Sequence, residues 1–197
     1  MAHPFHRLLL ATEHTDFDVG AETVAFALAR RCGLPLAGVL PIVSNPEFEA
    51  VAPELAARAD AEAARRAEGV EAAAAAQGVA LALEVRHGAE PYEEIVAEAR
   101  ERAADLVIIR RRGKRGFLAN LMFGEMVGKV VAHAPCSVLM CPRAATMWQR
   151  EVLVGVDPQA PDAALVATAA RIAGECGIGL RIVGVVAGDG ARAAAEA

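Results

Sequence analysis

The sequence predicts an α/β fold, an open parallel five-stranded sheet with helices on both faces, followed by a partial second β-α-β repeat. Three observations predict it. Apolar runs of strand length alternate with segments of helical periodicity, which is typical of parallel strands joined by helical crossovers. The chain has 197 residues, enough for one complete domain with a surplus. The opening residues return in similar form about 144 positions later.

Apolar runs in the first 142 residues predict the strands of the sheet. They lie at Arg7–Thr12, Leu36–Val43, Ala80–His87, Asp105–Ile109 and Ser137–Cys141. Such runs are typical of strands that helices cover on both faces. The loops that follow the strands should therefore meet at one edge of the sheet, where open α/β folds bind ligands.

Helical periodicity between these runs predicts the crossover helices, and local stop signals set their ends. The predicted helices span about Asp18–Arg31, Pro46–Gln77, Pro91–Ala103 and Leu121–His133. Gly33 and Gly78 follow the first two helices as stop signals. Pro91 suits a first helical turn, and Pro135 ends the last helix because the residue before a proline avoids the helical region.

The surplus residues are an internal repeat. Arg7–Val39 aligns without a gap on Glu151–Val183, so that Leu9 meets Leu153, Asp18 meets Asp162 and Gly33 meets Gly177. The predicted organisation is a domain over residues 1–142, a linker over 143–150 and a partial repeat over 151–197. A lone β-α-β unit exposes apolar strands and a bare edge. We expect it to be covered by the rest of a longer protein, by the first domain or by a dimer mate.

Composition excludes several classes of function. The net charge of −5 and the pI near 5.6 argue against DNA and membrane surfaces as partners. The N-terminal apolar run is too short for a signal peptide, and no apolar run approaches the length of about 18 residues that a membrane span needs, so the sequence predicts a cytoplasmic protein. The four cysteines lack metal-ligand spacing, which predicts reduced buried thiols and no metal site.

A basic, glycine-containing segment, RRRGKRGFLANLMFGE, follows the fourth predicted strand and spans Arg110–Glu125. Backbone amides in such a turn, leading into a helix N-terminus, can bind an anion, and flanking cations strengthen the site. The candidate anion-binding residues are Arg111, Arg112, Lys114 and Arg115. A solvated basic turn with no ligand is the alternative.

Several segments resemble the universal stress protein family. They are VLVGVD, HGAEPYEEIVAEARERAADLVII with the basic loop after it, and GKVVAHAPCSVLMC. The resemblance covers Arg7–Pro142 as one domain and the residues from Glu151 onward as a partial second one. It implies the sheet order 3-2-1-4-5, dimerisation often through the last strand and, in one branch, ATP over the carboxyl ends of the strands.

The last strand is also a natural pairing edge because a short apolar edge strand can accept a second chain. We therefore expect a homodimer, or cover by the second repeat, at a short list of edge residues. The predicted dimer edge consists of Val138, Leu139, Met140 and Cys141.

The nucleotide-binding branch of the family carries Gly-x2-Gly-x9-Gly-Ser/Thr after the fourth strand and an acid at the end of the first. In this chain the resemblance places candidate nucleotide contacts at Thr12, Glu13, Ile42, Arg110, Gly113, Gly124 and Glu125. Arg110 replaces the first glycine and hinders a close approach, and Glu125 replaces a hydroxyl with a carboxylate that repels phosphate. One hypothesis makes Glu125 an internal anion that pairs with Arg110 or Arg112.

The predicted function is a cytoplasmic, non-enzymatic stress-response or regulatory module with a degenerate nucleotide-binding loop. One alternative is an ATP-binding switch with slow hydrolysis that uses Glu13, Gly113 and Gly124, and ATP is the one cofactor considered. A second alternative is a docking module whose basic loop binds an acidic partner or RNA. No catalytic motif is present, and His14 and His133 are interpreted as packed or surface residues without a catalytic role.

Overall fold

The computed structural model describes residues 3–111 and 125–184, and at Pro46, Phe48 and Glu125 it describes the backbone alone. Contacts divide the chain into a larger unit, Phe5–Met147, and a smaller unit, Met1–Pro4 with Trp148–Ala197. The predicted division into a domain, a linker and a partial repeat remains a prediction. None of the helices in the described ranges is both long and apolar enough to span a bilayer.

The larger unit contains a parallel sheet in the order β3-β2-β1-β4-β5. Its strands are β1 (Leu8–Ala11), β2 (Leu36–Val43), β3 (Leu81–Gly88), β4 (Leu106–Arg110) and β5 (Ser137–Cys141). All residues of β1 and β4 are buried because these strands lie inside the sheet with helices on both faces. The predicted fold class and strand order are confirmed.

The described crossover helices agree with the predictions except at one break, and the predicted start of the last helix, Leu121, lies outside the described residues. The helices are α1 (Val19–Cys32), α2 (Pro46–Val51), α3 (Pro53–Ala76), α4 (Pro91–Glu101) and α5 (Glu125–His133). The helix predicted over Pro46–Gln77 is two helices because Ala52 leaves the helical region, with φ −133° and ψ 62°. Ala52 precedes Pro53, and the proline ring excludes the helical conformation from the residue before it.

The core of the larger unit brings the sheet against α4 and α5. Leu9, Val39 and Val107 from the strands pack in one buried cluster with Ile95 of α4 and Val130 of α5. The cluster extends along the sheet to Ala11 and Ile109, at the carboxyl ends of the central strands. Ala11 and Ile109 therefore form the apolar base of the candidate site.

The smaller unit repeats the opening of the larger one in its geometry. Its elements are β6 (Glu151–Val156), α6 (Ala163–Cys176) and β7 (Gly179–Gly184), and β6 pairs with β7 in parallel. Leu8 pairs with Leu36 in the larger unit, and the corresponding Val152 pairs with Leu180 here. The helix stop signals also agree: both Gly33 and Gly177 are left-handed, with φ of 62° and 64°.

Candidate functional site

The carboxyl ends of β1 and β4 meet at a small cavity of about 10 Å³. β1 leads to β2 on one side and β4 leads to β5 on the other, so the cavity lies where the direction of the chain connections reverses, which is the usual ligand position in open α/β sheets. This volume holds about one water molecule. The residues lining the cavity are Ala11, Thr12, Glu13, Asp18, Pro41, Ile95, Ile109, Arg110 and Met126.

Arg110, the last residue of β4, bridges two carboxylates at this cavity. Its Nη2 donates to Glu13 Oε1 at 2.7 Å, and its Nη1 donates to Asp18 Oδ2 at 3.0 Å. Nη1 also contacts the hydroxyl of Thr15 at 3.3 Å. The side chain of Arg110 is only 6% exposed. One guanidinium therefore ties β4 to the β1–α1 loop, residues 12–18.

Asp18 binds Thr15 and Arg110 and does not cap the helix that follows it, which is the usual role of an aspartate at a helix start. It precedes α1, yet its carboxylate accepts no hydrogen bond from the first turn of the helix. Instead it accepts from the backbone nitrogen and the hydroxyl of Thr15, at 2.9 and 2.5 Å, and from Arg110. At the equivalent position of the repeat, Asp162 caps α6 by accepting from two first-turn amides. The same residue type at the same position serves a tertiary contact in one unit and a local cap in the other.

A second buried acid, Glu22, lies on the first turn of α1 and is held by two residues of the β1–α1 loop. The hydroxyl of Thr12 donates to Glu22 Oε1 at 2.7 Å, and His14 Nδ1 lies 3.0 Å from the same oxygen. The backbone nitrogen of His14 donates in turn to the Thr12 hydroxyl at 2.9 Å. Glu22 thus keeps hydrogen-bond partners despite its burial.

His14 itself has an unusual backbone conformation, and its ring is closely packed. Its φ is 50°, in the left-handed region, which costs a residue other than glycine about 1–3 kcal/mol. Gly69 of α3 faces the imidazole so closely that an added Cβ would lie 2.6 Å from His14 Nε2. The ring is therefore packed between α3 and Glu22, which agrees with the interpretation of His14 as a packed residue.

The described part of the site carries an acidic balance of charge. Two carboxylates, those of Glu13 and Asp18, contact the guanidinium of Arg110, and a third, that of Glu22, lies in the same loop network through Thr12 and His14. Arg110 is already shared between two of them. An external anion can therefore bind the guanidinium strongly only by displacing an internal carboxylate.

The structure brings some of the predicted nucleotide contacts together and leaves others apart. Thr12, Glu13 and Arg110 share the cavity, whereas Ile42 is absent from its described lining and the neighbouring Pro41 is present. Arg111 continues the sheet, because its backbone nitrogen donates to the Cys141 carbonyl at 2.7 Å. The predicted residues outside the described ranges are Arg112, Gly113, Lys114, Arg115 and Gly124.

The internal-anion hypothesis assigns the partner of Arg110 or Arg112 to Glu125. Glu125 begins α5, and its side chain lies outside the described part of the chain. The carboxylates found on Arg110 belong to Glu13 and Asp18. The role of Asp18 was missed because an acidic residue before a helical pattern is also the signature of a cap.

β5 forms an edge of the described sheet, as the predicted pairing strand should. It pairs with β4 alone among the described strands. Val138, Leu139 and Met140 are half-buried, and Cys141 is buried. Burial raises the pKa of the Cys141 thiol to about 11, so the thiol stays protonated at neutral pH. Cys32, Cys136 and Cys176 are half-buried, which corrects the expectation that all four cysteines are buried.

Comparison with known structures places the fold among universal stress proteins. UspA from Lactobacillus plantarum is 24% identical, with a TM-score of 0.58 over 72% of this chain and 99% of that one. The universal stress protein from Archaeoglobus fulgidus in complex with dAMP is 17% identical, with a TM-score of 0.52 over 69% of this chain and 97% of that one.

A third structure matches more of the chain. A universal-stress-type protein from Pseudomonas aeruginosa is 16% identical, with a TM-score of 0.65 over 91% of this chain and 61% of that one. The search of curated proteins gave no match. The model of the universal stress protein family matches residues 4–142, more than half of the chain. This protein therefore belongs to the universal stress protein family.

Proposed function

We propose that this chain is a non-enzymatic regulatory member of its family whose adenine-nucleotide site is closed by its own side chains. The observation that carries the proposal is the position of Arg110 between Glu13 and Asp18 at the carboxyl ends of β1 and β4. The cavity left there measures about 10 Å³, whereas ligand pockets usually measure about 300–1,000 Å³. A nucleotide therefore needs a rearrangement of these side chains before it can enter.

Charge supports the same conclusion. Like charges about 4 Å apart repel by about 4 kcal/mol at an effective dielectric constant of about 20. A phosphate group close to Glu13 or Asp18 meets that repulsion, while the attraction of Arg110 is already used by these two carboxylates. Nucleotide binding is thus disfavoured by charge as well as by space.

The described side chains also give little support to catalysis. Thr12 with Glu22, and Thr15 with Asp18, are hydroxyl–carboxylate pairs that resemble a nucleophile and its base, but the Asp18 carboxylate is also bound to Arg110. Thr12 is 2% exposed and is engaged by the backbone of His14. A substrate cannot reach this hydroxyl in the described arrangement, so a binding role is favoured over a chemical one.

The full chain should gain almost no thermal stability from ATP-Mg²⁺ or AMP. A ligand with a dissociation constant above about 1 mM adds less than about 0.4 kcal/mol at a concentration of about 1 mM. For a chain of this size that corresponds to about 1 °C in melting temperature. Differential scanning fluorimetry measures the shift, and a parallel phosphate-release assay should match a blank without protein. A shift of many degrees, or adenine absorbance that co-purifies with the chain, would favour the ATP-binding switch instead.

We also propose a homodimer through β5, supported by the position of this strand at the edge of the sheet. A charge at a half-buried edge residue should prevent strand pairing between two chains. Leu139→Lys is therefore expected to convert a dimer into a monomer in size-exclusion chromatography with light scattering. Val51→Lys is the matched control because Val51 is 85% exposed on α2 and away from the edge. A wild-type monomer, or a Leu139→Lys dimer, would argue against this interface.

A further inference from the structure

The two carboxylates on Arg110 are held very differently. Asp18 is 1% exposed and is fixed by the nitrogen and the hydroxyl of Thr15 in addition to Arg110. Glu13 is 32% exposed, and its described hydrogen bond is the one that Oε1 accepts from Nη2 of Arg110. Asp18 is thus a fixed orienting group, and Glu13 is a displaceable group on the solvent side.

We propose that Arg110 is the anion-binding residue of this site and that the Glu13 carboxylate occupies its guanidinium when no external anion is bound. The external ligand is a phosphate monoester, which binds when Glu13 swings away. This inference rests on the proposed function, because it explains what the closed site binds when it opens. It reverses the steric role expected of Arg110 from the sequence.

The geometry of Arg110 suits this exchange. Asp18 and Thr15 orient Nη1, so the guanidinium stays in place when Glu13 leaves Nη2. A guanidinium offers five N–H donors in a planar fork that matches phosphate oxygens. Because Arg110 is 6% exposed, the interaction is less screened by water than one at the surface.

Competition with Glu13 decides the chemical class of the ligand. Glu13 is tethered to the same loop, so its effective concentration at Nη2 is in the millimolar range or above. A free carboxylate offers the same interaction without that advantage and should lose. A phosphate monoester carries more negative charge and three terminal oxygens, so it can replace the internal group.

Replacing Glu13 with glutamine separates this inference from its competitors. If Arg110 is a receptor that Glu13 masks, Glu13→Gln strengthens phosphate binding. If Arg110 only blocks the site, affinity does not change. If Glu13 itself contacts the nucleotide, affinity falls. Glutamine keeps the size and one acceptor oxygen of Glu13, so the loop should retain its fold.

The experiment titrates AMP into the full chain by isothermal calorimetry at low ionic strength. Glu13→Gln should bind AMP at least about tenfold more tightly than wild type, in line with a charge-assisted bond of about 1.4 kcal/mol. Asp16→Asn is the matched control: it removes the same charge from the same loop, but Asp16 is 82% exposed and pairs with Arg143. Its affinity should stay within about twofold of wild type. Inorganic phosphate should compete with AMP in Glu13→Gln.

A second readout addresses Arg110 directly and does not depend on a variant of that residue. Phenylglyoxal modification, followed by mass spectrometry of the peptide that contains Arg110, should be faster in Glu13→Gln than in wild type. AMP should protect this arginine. A separate check does use such a variant: where the double variant folds, adding Arg110→Met to Glu13→Gln should abolish the gain in affinity.

The outcomes separate the inference from the proposed function. Tight AMP binding by wild type would overturn the closed site itself. Weak wild-type binding with no gain in Glu13→Gln, with a gain in Asp16→Asn of the same size, or without protection of Arg110 would overturn the inference and leave the closed site standing.

Discussion

Replacing Arg110 with methionine is expected to destabilise the larger unit by about 3–5 kcal/mol. The substitution keeps much of the side-chain volume and removes the charge. Asp18, at 1% exposed, would then keep a buried negative charge without its cation, and Glu13 would lose its partner nearer the solvent. Removing one partner of a buried ion pair costs far more than the pair itself contributes, because the remaining charge stays desolvated.

Urea unfolding followed by far-ultraviolet circular dichroism measures this loss. Arg143→Met is the matched control because Arg143 pairs with Asp16 at 3.1 Å, but both side chains are largely exposed. An exposed pair contributes about 0–1 kcal/mol, so the control should stay close to wild type. Equal effects of the two substitutions would mean that the Arg110 bridge is as well solvated as a surface pair.

Leu9→Ala is expected to cost about 2–5 kcal/mol, whereas Leu153→Ala should cost less than about 0.5 kcal/mol. The two leucines occupy equivalent positions of the repeat. Leu9 is 0% exposed within the core of the larger unit, and Leu153 is 63% exposed on β6. The first substitution leaves a cavity among packed side chains, whereas the second shortens an aliphatic side chain that is largely exposed to solvent.

Chemical unfolding followed by two probes tests this pair. Far-ultraviolet circular dichroism reports the whole chain, and the one tryptophan, Trp148, belongs to the smaller unit, where its Nε1 contacts Cys176 Sγ at 3.0 Å. The same experiment tests the hypothesis that the smaller unit is covered. A loss above about 2 kcal/mol in Leu153→Ala would mean that another surface buries Leu153 in solution.

Local sequence signals were sufficient for most of the fold. The strands of the larger unit begin and end within one or two residues of their predicted bounds, because apolar runs and glycine or proline stop signals act over a few residues. The order of the strands came from the family resemblance. The break at Ala52 was also encoded locally, in Pro53, but the strong helical periodicity on both sides masked it.

The sequence by itself determined the α/β layers and the repeat, including the left-handed stops at Gly33 and Gly177, because these depend on the backbone preferences of neighbouring residues. The tertiary structure alone decided what Arg110 binds, because its partners Glu13 and Asp18 lie 97 and 92 residues away in the chain. Asp18 and Asp162 make the reason plain: identical residues at equivalent helix starts differ in their hydrogen bonds, since in the described structure only the first faces an arginine from an adjacent strand.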